Sequence, residues 1–371
     1  MQTDVIVIGA GTVGVAIAYG LLSRGLRVIV LDGSDTDHRA ARANFGLVWL
    51  HGKGLAMPEY QRLTRRSVDL WPAFHDQLTQ LVGGRIDYER NGGLTLCLGE
   101  TAFNERHHNL QRLHNMLGGD SDWEMLGRTA LQKLLPKVVL GSDVTGASFG
   151  HHDGHVNPLK LLASLHEAVL RLGGTIRPNT PVQTIAARGG AFVLACGEER
   201  LEAGRVVIAA GLGSAALASQ VDIEVPLRPQ RGQILVTERI EPILPLPTSG
   251  LRQTAEGTLM IGSTQEETGY DAGTTAEAAA RMSRGAVRKV PRLAELRLVR
   301  QWSGLRVMTP DSYPVYAQSP SHPGAFVTLC HSGVTLAALH ADLIANAVAA
   351  GSLPASLDVF HPRRFDVPHA A

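Results

Sequence analysis

The sequence DVIVIGAGTVG, residues 4–14, decides the fold prediction for this chain. Its first half is a β-branched run typical of a buried strand, and its second half carries Gly9, Gly11 and Gly14 in the spacing GxGxxG at the start of a helical pattern. A second apolar run ends in Asp32, eighteen residues beyond the third glycine. Strand, tight turn, helix and second strand together form a βαβ unit of about thirty residues.

Each glycine has its own role in such a unit. Gly9 permits the tight turn, Gly11 lets the backbone approach a pyrophosphate, and Gly14 allows the helix to pack closely on the strand. The helix N-terminus offers free N–H groups to phosphate, and Asp32 is placed to accept a hydrogen bond from a ribose hydroxyl. These features predict a dinucleotide site, although the motif alone does not separate FAD from NAD. The alternative is a βαβ unit whose glycines serve packing alone.

The composition is that of an ordinary globular protein. The chain has 371 residues, 35 basic and 34 acidic side chains and 44% hydrophobic residues, which excludes a disordered chain and gives no overall field that attracts nucleic acid. Its three cysteines, Cys97, Cys196 and Cys330, form no CxxC pair, so neither a zinc site nor a disulfide framework is predicted. The apolar start is too short to span a bilayer and lacks a basic leader, so we expect a cytoplasmic protein with no transmembrane segment.

The pattern changes after the first βαβ unit. A nicotinamide enzyme would normally continue with further βα repeats. Here a polar loop, residues 33–57, precedes an amphipathic helix from about Glu59 to Leu81. The chain then returns to the nucleotide site through a strand at 206–209 that runs into Gly211. Further strands are predicted at 93–98, 175–177, 182–186 and 191–195, and further helices at 104–117 and 158–171.

A second sheet is predicted between the segments that build the nucleotide site. Its strands are residues 231–237 and 258–262, followed by a helix at 275–290. The C-terminal part reads as a strand at 326–330, a turn and an alanine-rich helix at 336–349. Because the chain alternates between the two sheets, we expect two interleaved domains.

Several ordered motifs resemble the FAD-dependent D-amino-acid oxidase superfamily, most closely its glycine oxidase and sarcosine oxidase branch. The motifs are DVIVIGAGTVGVAIAYGLLSRG at 4–25, HVNPLKLLASLHEAVLRLGG at 155–174, VVIAAGLGS at 206–214, RGQILVTE at 231–238, LMIGSTQEETGYD at 259–271 and WSGLRVMTPDSYPV at 302–315. Within that branch, the chain is most similar to the catalytic subunits of hydrogen cyanide synthase, opine oxidase and D-hydroxyproline dehydrogenase.

The resemblance implies an α/β fold in which a Rossmann-like FAD-binding domain is interleaved with an antiparallel-sheet substrate domain, as in glycine oxidase. The implied FAD-binding domain is discontinuous and covers residues 1–82, 145–225 and 303–371, and the substrate domain covers 83–144 and 226–302. The implied cofactor is non-covalent FAD, because the segment GLRVMTP at 304–310 lacks the cysteine that links the flavin in sarcosine oxidases.

The resemblance also assigns residues to the cofactor. Those expected at the ADP part are Gly9, Gly11, Gly14, Asp32, Val182 and Gly211. Those expected along the flavin are Ala43, Asn44, Gly46, Gly304, Ser332, Gly333, Val334, Thr335 and Leu336. After Gly46, the resemblance places Trp49, His51 and Lys53 toward the substrate face. A helix that begins at this last turn would stabilise negative charge on the reduced ring.

Three further residues are candidates for the substrate. Arg306 matches the family arginine that binds the substrate carboxylate, a task suited to a planar guanidinium, and its alternative is an ion pair at the surface or between domains. The turn at His331 is two residues shorter than the HFRxG turn of glycine oxidases, so their second arginine is missing; Arg252 is either its replacement or a rim residue. His51 is either a proton acceptor or a structural histidine.

The function implied by the resemblance is oxidation of a small amine or amino acid to its imine by hydride transfer to flavin N5. The substrate would be glycine-like, an N-substituted glycine or a cyclic D-amino acid such as D-proline or D-hydroxyproline. Electrons would leave through electron-transfer partner subunits or another acceptor besides oxygen. The alternatives are a direct oxidase and a non-catalytic FAD-holding subunit. His151, His152, Asp153 and His155 lie together, but their spacing fits no standard metal site, so no metal is predicted.

Overall fold

The computed structural model describes residues 3–33, 40–84 and 86–366. The strands are β1 (Thr3–Ile8), β2 (Val28–Leu31), β3 (Leu47–Val48), β4 (Gly93–Leu98), β5 (Trp123–Gly127), β6 (Val144–Gly150), β7 (Gly154–His155), β8 (Thr175–Arg177), β9 (Thr184–Arg188), β10 (Ala191–Cys196), β11 (Glu199–Ile208), β12 (Arg228–Arg239), β13 (Leu251–Gln253), β14 (Thr258–Gly262), β15 (Leu298–Met308), β16 (Val315–Gln318) and β17 (Ala325–Leu329).

The α-helices are α1 (Thr12–Leu22), α2 (Pro58–Val82), α3 (Glu100–Met116), α4 (Arg128–Leu134), α5 (Pro158–Arg171), α6 (Ser214–Ala218), α7 (Ala276–Lys289), α8 (Ala337–Leu339) and α9 (Ala345–Ala350). A π-helical segment, His340–Ile344, joins α8 to α9. Asn157 caps α5, since its side chain accepts from the N–H groups of Leu159 and Lys160.

The largest sheet is built around β1, whose residues Val5 to Ile8 are buried. Its order is β16-β17-β11-β1-β2-β8, and β9 and β10 extend it antiparallel from β11. The strands β17, β11, β1, β2 and β8 are parallel, so their carboxyl ends meet at one edge. This edge is where an α/β sheet places a ligand.

A four-stranded antiparallel sheet, β13-β14-β12-β15, forms the second layer. One of its faces carries Leu235, Leu259 and Ile261 and belongs to an apolar core shared with the three-stranded sheet β4-β6-β5 and α7. The opposite face carries Ile234 and Met260, which pack against Phe45 and Trp302. The second face therefore lies toward the segment expected along the flavin.

The predicted elements are present with shifted ends. The strand predicted at 182–186 spans Thr184–Arg188, and the one predicted at 206–209 is the end of a longer strand, Glu199–Ile208. The sequence did not predict Leu298–Met308, although this strand carries Arg306. The interleaved domain boundaries stay a prediction. Among the described residues, no single helix has the length and apolar composition to cross a membrane; only the bent pair Ala337–Ala350 and Ala355–Phe365 meets those two criteria together.

Candidate active site

A cavity of about 710 Å³ lies at the carboxyl ends of β1, β2 and β11. Its walls include several residues predicted for the ADP part and the flavin, namely Gly9, Gly11, Asp32, Asn44, Val182, Gly211, Gly333 and Val334. The volume is within the range typical of small-molecule and cofactor sites. Segments that are distant in the sequence thus line one cavity.

The three motif glycines are each required by a different contact. Gly9 has φ +112°, and an added Cβ would lie 2.3 Å from the carbonyl oxygen of Ala209. An added Cβ at Gly14 would lie 1.9 Å from the carbonyl oxygen of Gly9, so helix and turn cannot separate enough for a side chain. Gly11 is different, because its added Cβ would approach only Ala41 among the described residues, at 3.9 Å, and would otherwise occupy the cavity.

The loop between β1 and α1 has the features of an anion-binding site. Within the described residues, no side chain caps α1, and the Thr12 hydroxyl in its first turn is buried without a hydrogen-bond partner. The Asp32 carboxylate accepts from the Ala10 N–H at 3.1 Å, and His166 Nε2 donates to the Ala10 carbonyl at 2.8 Å. Free N–H groups, an orphan hydroxyl and the cavity beside Gly11 fit the diphosphate of FAD.

The segment predicted along the flavin edge is fixed by its own turn. The Asn44 side chain accepts from the Gly46 N–H at 2.8 Å, and Gly46 has φ +88°. A side chain at Gly46 would place its Cβ 2.3 Å from the carbonyl oxygen of Val156. Asn44 lines the cavity, whereas Ala43 is half-buried and lies outside its walls.

Some residues of the predicted flavin turn lie in the cavity wall, and others are buried in the apolar core. Gly333 and Val334 line the cavity, while Leu336 is fully buried in the apolar core. The Thr335 hydroxyl accepts from the Trp49 N–H at 3.2 Å, so Thr335 anchors the turn to the segment after β3. The predicted cofactor contacts of Thr335 and Leu336 stay predictions.

Arg306 lies on β15 between the cavity-lining residues Leu305 and Val307, but it is itself outside the cavity walls and belongs to the opposite sheet face, which it shares with Trp302. Its guanidinium lies over Gly232, where an added Cβ would be 2.7 Å from Nη2. Nη2 donates to the Ser263 hydroxyl at 2.5 Å and to the Thr264 carbonyl at 2.8 Å. Burial lowers the pKa of this guanidinium.

The groups that Arg306 contacts directly are neutral, and the Glu266 carboxylate acts on its charge only from beyond contact distance. The partners of Arg306 are hydroxyl, amide and carbonyl oxygens, and it makes no ion pair within the described residues. The ion-pair alternative is therefore not supported. Gly304, two residues earlier, is buried opposite Gly232 and leaves room on the same face.

Arg252 lies on the same sheet face as Arg306. In the antiparallel register, Arg252 pairs with Met260 and Met260 pairs with Val236, whereas Arg306 pairs with Gln230. Val236 and Gln230 are an even number of positions apart on β12, so both pairings fall on one face. Arg252 is not a rim residue: its relative exposure is 3%. Nε donates to the Phe45 carbonyl at 2.8 Å, and burial lowers the guanidinium pKa to about 10. Arg252 thus ties the sheet to the flavin-edge segment, and substitution for the missing arginine stays a prediction.

His51 lies in a buried polar network, which favours the structural alternative. Nδ1 donates to the Asp153 carboxylate, which also accepts from the Leu50 and His51 N–H groups at 2.5 and 3.1 Å. Nε2 lies 3.0 Å from the Ser148 hydroxyl, which accepts from Arg106 Nε at 2.9 Å. His51 is outside the cavity walls, and both of its ring nitrogens are engaged.

Two residues near the cavity, Tyr60 and His331, did not enter the predicted site, and the predicted residue Lys53 lies beside them. Lys53 Nζ donates to the Ser332 hydroxyl at 2.7 Å, and the Tyr60 hydroxyl donates to the same oxygen at 2.9 Å. His331 lines the cavity and is exposed to it; desolvation by the surrounding residues, then the charges of Lys53 and Arg306, lower its pKa below the ordinary value. His331 is the first residue of the motif HSGVT, which was the signal in the sequence that could have identified it. No sequence pattern links Lys53 to Ser332.

The histidine-rich segment does not form a metal centre in the part of the chain described. Within it, no three His, Cys, Asp or Glu side chains are grouped so that they could hold a metal ion. Asp153 is engaged by His51, and His152 Nε2 lies 3.2 Å from Asp122. Cys330 lines the cavity, and burial raises its pKa to about 12, which disfavours a nucleophilic role.

The chain is similar to known proteins along its whole length. A family model described as FAD dependent oxidoreductase matches residues 4–347. An opine oxidase subunit of Agrobacterium tumefaciens (strain Ach5) is 40% identical over 371 residues, covering 100% of this chain and 99% of the relative. A hydrogen cyanide synthase subunit of Pseudomonas aeruginosa, HcnC, is 27% identical, covering 99% and 97%.

The crystal structure of glycine oxidase from Geobacillus kaustophilus has the same fold. It superposes with a TM-score of 0.86 at 24% identity and covers 100% of both chains. The predicted family, α/β fold class and FAD cofactor are thereby confirmed. The matched family model, the identity along the whole chain and the nucleotide cavity agree: the chain belongs to the family of FAD-dependent oxidoreductases.

Proposed function

We propose that this protein oxidises the carbon–nitrogen bond of a small amine that carries a carboxylate. The substrate is a glycine-like amino acid, an N-substituted glycine or a cyclic D-amino acid such as D-proline or D-hydroxyproline. The observation that carries this proposal is Arg306, a half-buried guanidinium beside the nucleotide cavity that makes no ion pair within the described residues. A desolvated cation of this kind favours a bound anion, and a guanidinium matches a carboxylate in two parallel hydrogen bonds.

Other residues around the cavity would bind FAD, orient the substrate and contact its amine. The turn at Gly9 and Gly11, the Thr12 hydroxyl and the start of α1 would hold the diphosphate of FAD. FAD, when bound, supplies the acceptor for the hydride from the substrate α-carbon. Arg306 orients the substrate through its carboxylate. His331, held neutral, is suited to accept a hydrogen bond from the amine.

We further propose that the electrons leave through a partner subunit or another acceptor besides oxygen. The names of the relatives support this, since the opine oxidase and hydrogen cyanide synthase relatives are each named as one subunit of their enzyme. The opine oxidase name also supports an N-substituted amino acid as the substrate class. A direct oxidase with the same substrate site is the second candidate.

An anaerobic spectral titration tests the function. Purified protein loaded with FAD is mixed in turn with glycine, sarcosine, D-proline, D-hydroxyproline and several opines while the visible spectrum is recorded. Bleaching of the flavin by one of these classes is expected. If none bleaches the flavin, with cognate partner chains supplied as well, the protein is a non-catalytic FAD-holding subunit and the proposal is wrong.

A further inference from the structure

Tyr270 is the only exposed aromatic side chain among the described residues, and it lies in the wall of the nucleotide cavity. Its relative exposure is 68%, whereas the other tyrosines are buried or half-buried. Within the described structure, its hydroxyl makes no hydrogen bond and its ring makes no aromatic contact. Because an aromatic ring carries a large apolar surface that is stabilised by burial, Tyr270 presents unused contact area beside the cavity.

Tyr270 belongs to the connection between β14 and α7, whose residues 264–275 we term the strap. The Ser303 hydroxyl donates to the Ala272 carbonyl of the strap. Ser303 and Leu305 are two positions apart on β15 and therefore lie on the same face of the sheet. Leu305 lines the cavity. The strap thus passes over the sheet beside the cavity wall, and Tyr270 extends from the strap to the cavity.

The first residues of the strap are fixed to β12. Arg231 and Glu266 exchange both of their backbone hydrogen bonds, at 2.9 and 3.0 Å. The Glu266 carboxylate also accepts from Arg231 Nε at 3.2 Å and from the Gln233 amide at 2.8 Å. Backbone and side chains therefore hold this end of the strap in register with the sheet, and the residues beyond Glu266 extend from a fixed base.

An ion pair joins the tip of the strap, residues 268–271, to the same strand. The Asp271 carboxylate lies 2.6 Å from Arg231 Nη1, with the arginine buried and the aspartate exposed. Gly269 has φ +59°, in the left-handed region that glycine adopts at little cost, so the chain bends directly before Tyr270. The residue after Tyr270 is thus tied to the sheet, while the Tyr270 ring stays exposed.

A ring that lines the cofactor cavity loses contact with water when it packs against a ligand in that cavity. Removal of apolar area from water favours this contact. We propose that Tyr270 packs against bound FAD and that the strap, fixed to the sheet through Arg231, retains the cofactor in this way. FAD is then released slowly, because Tyr270 must leave its contact before the cofactor can dissociate. This inference concerns the cofactor and does not depend on the proposed substrate.

Chymotrypsin, which cleaves after accessible aromatic residues, tests whether FAD covers Tyr270. In the apoprotein, cleavage between Tyr270 and Asp271 is expected, since the tip of the strap is exposed. In the FAD-loaded protein this cleavage should be at least about tenfold slower. Tryptic cleavage after Arg188 is the control, because Arg188 and Gly189 are exposed between β9 and β10 and lie outside the cavity walls. FAD should protect Arg188 much less than Tyr270.

Three variants assign the retention of FAD to the ring of Tyr270. Tyr270→Ala should release FAD at least about tenfold faster than the wild type, whereas Tyr270→Phe should release it at the wild-type rate because the ring is kept. Leu159→Ala is the matched control, since Leu159 is an exposed apolar residue on α5 outside the cavity walls, and it should behave like the wild type. The rise in flavin fluorescence after dilution of each loaded protein measures the release. Urea unfolding of the apoproteins should give the same midpoint for Tyr270→Ala and the wild type, because the side chain is exposed.

Two results would overturn the inference. One is equal protection of Tyr270 and Arg188 by FAD, since the cofactor would then stabilise the protein as a whole without covering Tyr270. The other is release of FAD from Tyr270→Ala at the wild-type rate. Failure of the proposed function looks different: no amine would bleach the flavin, while the protection of Tyr270 and the slow release of FAD would persist.

Discussion

Gly11 and Gly14 belong to one motif, but their surroundings make different demands on them. An added Cβ at Gly14 would overlap the carbonyl oxygen of Gly9, whereas at Gly11 it would meet mainly the space of the cavity. We therefore expect Gly14→Ala to destabilise the fold by about 3 kcal/mol or more.

Gly11→Val should change the stability of the apoprotein by less than about 1 kcal/mol while weakening FAD binding at least about tenfold.

Urea unfolding of the apoproteins and titration with FAD measure the two effects separately. The prediction for Gly11 fails if the valine variant retains FAD like the wild type. The prediction for Gly14 fails if its alanine variant is as stable as the wild type.

Single residues show which parts of the site a sequence can reveal. Gly9, Gly11 and Asp32 could be placed at the cavity because they lie in a motif with fixed spacing, while the carboxylate role of Arg306 stays a prediction. The contact between Lys53 and Ser332 could not be predicted, because the two residues lie 279 positions apart and only folding brings them together. The role of His51 could not be decided from the sequence, since its neighbour Asp153 is itself 102 positions distant.

Helix packing around α1 gives a test at the level of elements. Gly20 on α1 meets the π segment so closely that an added Cβ would lie 2.0 Å from the carbonyl oxygen of Ala341. Gly285 on α7 is also a helical glycine, but no described residue outside its own helix turn lies within 4 Å of an added Cβ. Gly20→Ala should destabilise the protein by about 2 kcal/mol or more, while Gly285→Ala should stabilise it by about 0.5–1 kcal/mol.

Chemical denaturation of the two variants and the wild type measures both changes. If both alanine variants were stabilised alike, the close contact between α1 and the π segment would be contradicted.

The π segment also carries a buried histidine that makes stability depend on pH. His340 is fully buried, and burial lowers its pKa to about 3. Nε2 accepts from the Tyr316 hydroxyl at 3.0 Å, and the buried Nδ1 has no partner among the described residues. Since an unfolded histidine titrates near 6.5, the unfolded state gains protons first as the pH falls. This contribution to stability is present above about pH 6.5 and is lost below it.

We expect His340 to account for about 2 kcal/mol of the stability lost between about pH 7 and pH 5. In His340→Gln, the loss over this interval should be smaller by that amount. His108→Gln changes an exposed histidine and should leave the pH dependence unaltered. Unfolding free energies measured at several pH values provide the comparison, and parallel curves for His340→Gln and the wild type would contradict the prediction.

Elements were predictable where their periodicity was strong. The buried run of β1 and the amphipathic α2 were found, since each matches one period over its whole length. β15 was missed because its first residues are exposed and polar residues interrupt its apolar ones. It is a strand through its pairing with β12, which no local pattern expresses. The shift of β9 places Val182 outside the strand, where it lines the cavity.

The acceptor of the electrons is a property of the whole molecule and its partners. If a partner subunit is required, the reduced flavin of the isolated chain should react slowly with air and faster with a small artificial electron acceptor. Turnover with oxygen should then be at least about tenfold slower than with the artificial acceptor, a difference of about 1.4 kcal/mol in activation free energy. Oxygen consumption and dye reduction measure the two rates. Rapid hydrogen peroxide production by the chain alone would favour the direct oxidase.

For the whole molecule, the sequence predicted the path of the chain through the fold better than it predicted the substrate. The strand before Gly211 and the glycine motif both point to one sheet edge, so a returning chain could be inferred from the sequence. The proposed substrate site combines Arg306 and His331, which come from separate segments of the chain. Their juxtaposition appears only in the folded protein.

The rate of flavin reduction by a carboxylate-bearing amine, measured anaerobically in the wild type and in Arg306→Gln, tests the central claim most directly. Arg297→Gln, an exposed change near the start of the same strand, is the matched control. The account predicts reduction in the wild type and the control, and at least about a hundredfold loss of efficiency in Arg306→Gln with FAD retained. Equal efficiency in all three proteins would contradict the assignment of the substrate carboxylate to Arg306.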